Sequence, residues 1–251
     1  MSIPQVFVVR DRELLLEAVS ARLVTLLVDR VAAAGTARLL LAEDPLVDEF
    51  LTTLAGGRVH HAVEWSRIDA WWANASWARS RGGQPTTSTA AATLTSLGVP
   101  ADGIHPILRD GEPSDPDRSA TEYANALAAA RFFGDHGRVP AFVVAILTVG
   151  ADGSIAGLHP EHPSAYDERA VTVDRTTSQI SLTSTALNTA DQVWLLGSGS
   201  HQAAGIHLAV AESGPTQVPA AGVRGTSRTC VLVDEAAAAR LPQAMRRLAS
   251  P

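Results

Sequence analysis

Glu43 and Asp44 are adjacent carboxylates. Two carboxylates facing one cleft can share a proton and split their titration, which suits general acid and base work. His201 offers an imidazole that could take a proton near neutral pH, with Asp44 or Asp152 fixing its tautomer and Ser154 adding a hydroxyl; His159 is the alternative helper to the carboxylates and a candidate to bind the substrate. Asn74, Ser76, Trp77, Gln179 and Gln202 are of types that orient a small polar ligand and wall its pocket. His159-Pro160-Glu161-His162-Pro163 sets two histidines around a glutamate, but prolines break any helix and the spacing matches no metal motif. His60 and His61 are neighbours in sequence, so their rings leave a helix or strand on different faces. No metal and no cofactor is expected.

Composition removes several chemistries. All 20 Lys+Arg residues are arginine, so a Schiff-base lysine, a phosphate-loop lysine and a lysine base are excluded. A net charge of -6 without any basic stripe argues against nucleic acid as a partner. Hydrophobic residues at 46% and charged residues at 18% lie far from the disordered regime. Cys230 sits in the apolar run Cys230-Val231-Leu232-Val233 and reads as a small core side chain. Arg10, Asp11 and Arg12 follow the first apolar stretch, and no apolar run approaches the ~20 residues of a membrane span. The expectation is a cytoplasmic protein that meets a small-molecule substrate or ligand and no membrane, with protein partners and oligomeric state left open.

The elements that must position these groups alternate along the chain. Val6 to Val9 reads as a strand, and a helix opens at Asp11 and runs through Ala34 with Leu14, Leu15, Ala18, Leu23, Leu26 and Leu27 at helical spacing. Arg38 to Ala42 is a buried strand, Pro45 to Leu54 a helix with proline in its first turn, and Ile68 to Trp72 a third strand. The segment from Ala73 to Thr89 reads as a long loop. Helices follow at Ala90 to Leu97 and Ala120 to Phe133, and Phe142 to Leu147 is the strongest buried-strand signal. Further strands are expected at 170–173, 178–183, 193–196 and 229–233, with helices at 184–188, 203–211 and 234–241. Strands separated by helices imply parallel pairing, so the expected architecture is one α/β domain over residues 1–251: a doubly wound, mostly parallel sheet with a small antiparallel excursion near 165 to 185. In such a sheet ligands bind beyond the carboxyl ends of the strands, where Glu43, Asp44, Asn74, Asp152, Ser154, Ser198, Ser200 and His201 fall. Gly197-Ser198-Gly199 and Gly150-Ala151-Asp152-Gly153 punctuate strand ends; neither forms a dinucleotide fingerprint.

The order of segments resembles the 6-phosphogluconolactonase family, the sugar-phosphate lactonases related to glucosamine-6-phosphate isomerases, over nearly the whole chain. Glu64-Trp65-Ser66-Arg67, Trp72, Val99-Pro100, His105-Pro106, Gly150-Ala151-Asp152-Gly153 and Leu158-His159-Pro160 carry the first part. Ile180-Ser181-Leu182-Thr183, Ala186-Leu187-Asn188, Val193-Trp194-Leu195-Leu196, Val218-Pro219-Ala220-Ala221 and Asp234 continue it. The resemblance implies the sheet architecture above and lactone hydrolysis.

This chain departs from the family at the functional positions. Ala42-Glu43-Asp44 replaces a Ser/Thr-Gly-Gly turn that grips phosphate, and Trp72-Ala73-Asn74-Ala75-Ser76 replaces Trp-Gly-Asp-Glu-Arg. Ser154 stands where the resemblance implies a general-base histidine. The cationic Ser-Pro-Lys-Pro-Pro-x-Arg-Ile segment shortens to Asp174 through Ile180, leaving Arg175, and a late lysine becomes Gln202. The expectation is therefore a diverged enzyme for a non-phosphorylated lactone or other sugar-derived substrate. A catalytically silent binding protein, or residual 6-phosphogluconolactone hydrolysis using Arg175, Arg79 or Arg81, are the alternatives.

Overall fold

The computed structural model describes residues 4–77, 89–108, 115–132, 138–211, 214 and 216–246. The first unit is strand β1 (Gln5–Val9) followed by helix α1 (Arg12–Ala34), whose first turn is capped by the Asp11 carboxylate accepting the Leu14 N–H at 3.0 Å. Strand β2 (Ala37–Leu41) is buried at every residue, and helix α2 (Pro45–Gly56) leaves it with Pro45 in the first turn. Strand β3 (Ile68–Trp72) is followed by β4 (Asn74–Ser76), helix α3 (Thr89–Leu97) and the short strand β5 (Ile104–His105). Helix α4 (Pro116–Ala129) precedes the central strand β6 (Val144–Thr148). Strands β7 (Val171–Asp174) and β8 (Gln179–Leu182) lead to α5 (Ser184–Leu187) and β9 (Gln192–Gly197). Helices α6 (Ala203–Val210) and α7 (Pro219–Gly222) come before the last strand, β10 (Arg228–Asp234).

Seven strands form one sheet in the order β1-β10-β9-β6-β2-β3-β5, and every pairing in it is parallel. Crossover helices cover the sheet, which is why most of β2, β6, β9 and β10 reads as apolar runs, at residues 39–41, 144–147, 193–196 and 230–233. The α/β parallel-sheet architecture expected from the sequence is the one observed. The antiparallel excursion is also present, as a second sheet β4-β8-β7. Ala73 joins the two sheets: its N–H donates to the Leu41 carbonyl at 2.8 Å, and its own carbonyl accepts from Leu182 N–H at 2.7 Å.

Several boundaries shift by a few residues from the sequence reading, and three of the differences have a local cause. Residues 74–76 form a strand rather than loop, because β8 offers them an antiparallel partner; residues 78–88 lie outside the described residues. Helix α4 starts at Pro116 rather than Ala120, since Asp115 caps the Asp117 N–H at 3.1 Å and Pro116 suits a first turn. The helix expected over 234–241 is a short 3₁₀ turn, Ala237–Arg240, because Asp234 finishes β10 and turns its carboxylate to neighbouring N–H groups.

Short β5 leaves the end of β3 without a strand partner on that side, since its register stops at Trp71 opposite His105 while β2 still pairs Leu41 with Trp72. The Tyr123 hydroxyl fills that place, accepting the Trp72 N–H at 2.9 Å and donating to the Trp72 carbonyl at 2.8 Å. Burial raises the Tyr123 pKa, so the hydroxyl keeps its proton for that donation. Tyr123→Phe leaves a buried donor and acceptor unpaired, and urea unfolding should show a loss of about 1–3 kcal/mol.

Candidate active site

The sheet changes direction between β2 and β6. From β2 the chain moves outward to β3 and β5, whereas from β6 it moves the other way to β9 and β10. Crossovers that leave in opposite directions open a crevice at the carboxyl ends of the two neighbouring strands. A cleft of about 170 Å³ lies there, walled by Glu43 and Asp44 after β2, Asn74 on β4, Ser154 and His159 after β6, and Gln179 on β8. Six residues singled out from the sequence thus meet.

Much of the polar capacity of these groups is already spent. Glu43 donates its N–H to Asn74 Oδ1 at 3.1 Å and accepts the Ser76 N–H on Oε2 at 2.8 Å, so Ser76 contributes through its backbone. Asp44 caps α2, accepting the Leu46 N–H at 2.8 Å. The Asn74 amide donates to Gln179 Oε1 at 3.4 Å, which ties the antiparallel sheet to the cleft wall.

After β6 the chain makes two tight turns. In the first, Gly150 and Ser154 exchange a backbone bond at 2.9 Å, and Asp152 Oδ1 accepts the Ser154 N–H at 2.9 Å. Burial pushes the Asp152 carboxyl up, but the Ser154 hydroxyl and N–H, its own backbone and nearby His159 outweigh that and hold it below its ordinary value. In the second turn Ile155 and Leu158 exchange both backbone bonds, at 3.0 and 2.8 Å, around Ala156 and Gly157. Their φ values of 47° and 75° are the paired positive angles of a two-residue hairpin. At Gly157 a side chain is excluded twice over, because a Cβ would also fall 2.4 Å from the buried Ser181 Oγ. This hairpin delivers His159, whose Nδ1 lies 3.7 Å from Asp152 Oδ2.

Four of the expected site residues stand elsewhere. His201 is exposed on the 3₁₀ turn Ser200–Gln202 and does not wall the cleft; the imidazole beside Asp152 is that of His159. The Gln202 amide accepts the Ser198 N–H at 2.6 Å and donates to the Val149 carbonyl at 2.9 Å, fastening the ends of β9 and β6 together. Arg175 pairs with Asp117 of α4. Trp77, expected at a pocket wall, is 5% exposed and packed in the hydrophobic core. Thr148, Ala156 and Gly157 also line the cleft and were not singled out. Thr148 was legible as the polar end of the most apolar strand, whereas Ala-Gly is a weak hairpin signature beside Asn-Gly. Arg79, Arg81 and Arg109 lie outside the described residues.

His159 stacks at a tilt against His162, with ring centroids 5.6 Å apart. His162 Nδ1 meets Asp174 Oδ2 at 2.8 Å, and the Ser164 hydroxyl donates to the same oxygen at 3.2 Å. Burial raises the Asp174 carboxyl, yet bonds from the Thr177 and Thr176 N–H groups and from His162 bring it below the ordinary 3.8. A depressed folded-state pKa contributes stability above the unfolded value and loses it as pH falls through the folded one. The gap in melting temperature between wild type and Asp174→Asn should therefore be present at neutral pH and shrink progressively below 3.8.

A larger hollow of about 410 Å³ lies between α4 and β7, with Arg131, Arg138 and Arg169 among its walls. Arg169 clasps Asp167 there and draws that carboxyl down to about 2. Among the described residues no group of three His, Cys, Asp or Glu could hold a metal ion, and no helix is long and apolar enough to cross a membrane.

An open parallel sheet with a polar cleft at its direction change defines an α/β protein of the kind that binds small molecules at strand ends. Residues 10–232 match the family described as glucosamine-6-phosphate isomerases/6-phosphogluconolactonase, and the chain belongs to that family. The 6-phosphogluconolactonase of Streptomyces coelicolor is 36% identical over 253 residues, covering 96% of each chain. That of Mycobacterium tuberculosis is 31% identical over 241 residues, 92% of this chain and 96% of the relative. Among solved structures, 6-phosphogluconolactonase from Leishmania guyanensis superposes with a TM-score of 0.77 at 19% identity, covering 95% of this chain and 99% of the other. A monomeric glucosamine-6-phosphate deaminase does so with a TM-score of 0.70 at 16% identity, covering 94% and 99%. These two structures share the fold.

Proposed function

We propose that the chain hydrolyses the ring ester of a sugar-derived lactone in the cleft between β2 and β6, and that its substrate carries hydroxyls where the relatives' named substrate carries a phosphate. The observation behind this reading is the charge of the wall. Glu43 and Asp44 face the cleft, and among the described residues that line it there is no arginine. A phosphate at 4 Å from a carboxylate is repelled by about 1 kcal/mol per charge pair in water and about 4 kcal/mol at the effective dielectric of a protein surface. Asn74 and Gln179 instead offer amides, which pair with hydroxyls.

A second reading is 6-phosphogluconolactone itself, favoured by whole-length relatives that bear that enzyme's name. Its phosphate would have to call on Arg12, whose guanidinium bonds Glu49 and feels Asp234 and Asp44, or on arginines beyond the described residues. Purified protein assayed against glucono-δ-lactone and its 6-phosphate, each corrected for spontaneous opening, separates the two. Faster turnover of the neutral lactone is expected. A preference for the phosphate establishes the second reading, and acceleration of neither makes the cleft a binding site without hydrolysis.

A further inference from the structure

We infer that His159 is the general base of the cleft and that Asp152 is its positioning residue; this rests on the lactone-hydrolysis reading above. Ser154, at the position where the resemblance implies a base, carries a neutral hydroxyl already bonded to Asp152. Such a group cannot take a proton from water near neutral pH. The cleft's other ionisable walls are Glu43 and Asp44, and each already accepts a backbone N–H: Ser76 at 2.8 Å and Leu46 at 2.8 Å. His159 is the imidazole among the described lining residues, and imidazole is the side chain whose ordinary titration falls near neutrality.

The placement is built rather than incidental. The hairpin closed by Ile155 and Leu158 ends one residue before His159, and an isolated bridge pairs Ile155 with Val149 just past the end of β6. The ring lies between Asp152, 3.7 Å from Nδ1, and the tilted ring of His162, itself fixed by buried Asp174. Asp152 remains ionised beside it, so Nδ1 is the nitrogen that carries the hydrogen and Nε2 is left to accept one. A separation of 3.7 Å is loose for a hydrogen bond, as catalytic pairs often are before substrate tightens them.

The reaction balances with water as the sole co-reactant. Water oxygen bonds to the lactone carbonyl carbon while His159 Nε2 takes its proton, leaving a tetrahedral oxyanion and an imidazolium. The carbonyl re-forms, the ring C–O bond breaks, and the imidazolium returns the proton to the departing ring oxygen. The product is the open hydroxy acid, which releases its carboxyl proton to solvent.

The test is kinetic, on the full chain with whichever lactone the wild type turns over. His159→Gln should lower kcat by roughly 10²- to 10⁴-fold with KM little changed, and abolish the acid limb of the pH–rate profile. Added imidazole should restore part of the rate to His159→Ala. Asp152→Asn should lower kcat and move the acid limb to lower pH, and the His159 ring titration followed by NMR should move the same way; neither shift follows from a merely structural role. Activity of His159→Gln within about threefold of wild type, or a loss confined to KM, overturns the assignment while leaving lactone hydrolysis intact. A wild type that turns over no lactone overturns both.

Discussion

Asp234→Ala is expected to lower stability by about 3–5 kcal/mol, because it leaves three donors without their acceptor, each at a cost of about 1–3 kcal/mol that does not simply add. The carboxylate is 4% exposed and sits where β10 ends between β1 and β9. It accepts the Ser198 hydroxyl at 2.6 Å, the Gly199 N–H at 2.9 Å and the Ala237 N–H at 2.7 Å. Each bond to a charged acceptor contributes roughly 1.5–3 kcal/mol, and three to one group do not add. Alanine at this position leaves a hydroxyl and two N–H groups facing a dry hole. In a chain of this length the change corresponds to about 6–20 °C in melting temperature. Differential scanning calorimetry reads it directly, and a loss below about 1 kcal/mol would mean that solvent reaches these donors. The double variant with Ser198→Ala should cost less than the sum of the single ones, because the two side chains share a bond.

The same residue shows where a sequence can be read and where it stops. Strands β2, β6 and β10 were legible because burial on both faces gives each an apolar run (residues 39–41, 144–147 and 230–233), a signal that depends on no distant partner. From its own neighbourhood Asp234 reads as a helix-opening residue, since aspartate before an alanine-rich stretch caps helices in most settings. Its real partners, Ser198 and Gly199, lie 36 and 35 residues away and are brought to it by the pairing of β9 with β10. The antiparallel β4 failed for a like reason: Asn74-Ala75-Ser76 carries no strand propensity of its own and extends because β8 pairs with it.

The cleft followed the same division. Glu43, Asp44, Asn74, Ser154, His159 and Gln179 all fall just beyond or at strand ends, so the rule that ligands bind at carboxyl ends of parallel strands was enough to gather them. Which imidazole joins Asp152 was beyond that rule. His201 and His159 both follow strands of the central sheet, and the choice between them is made by a two-residue hairpin whose positive φ at Ala156 has no strong sequence mark. Gln202, in the place of a lysine in the resemblance, turns out to fasten two strand ends with its amide. A substitution at a family's functional position need not leave a gap.

Gly205→Val is expected to cost the lactone hydrolysis proposed above and stability together, and to do so from outside the cleft. A Cβ at position 205 would lie 1.8 Å from the Gly150 carbonyl oxygen and 2.9 Å from its carbon. Both are backbone atoms, so no side chain can swing aside, and either α6 or the turn from Gly150 to Ser154 must retreat by more than 1 Å to reach ordinary contact. Overpacking of this sort costs about 1–3 kcal/mol even where side chains can adjust, and backbone resists more. The turn that would retreat holds Asp152 and Ser154, and through Asp152 the ring of His159. Displacement of catalytic groups by about 1 Å costs on the order of 10²-fold in rate. The expected result is therefore a fall in kcat of that order in protein that remains folded below its lowered melting point. Ala204→Ser, one residue earlier on α6 and only half-buried, should leave both quantities near wild type. Full activity in folded Gly205→Val would mean that the helix gives way rather than the turn, and circular dichroism would then show the helix signal reduced.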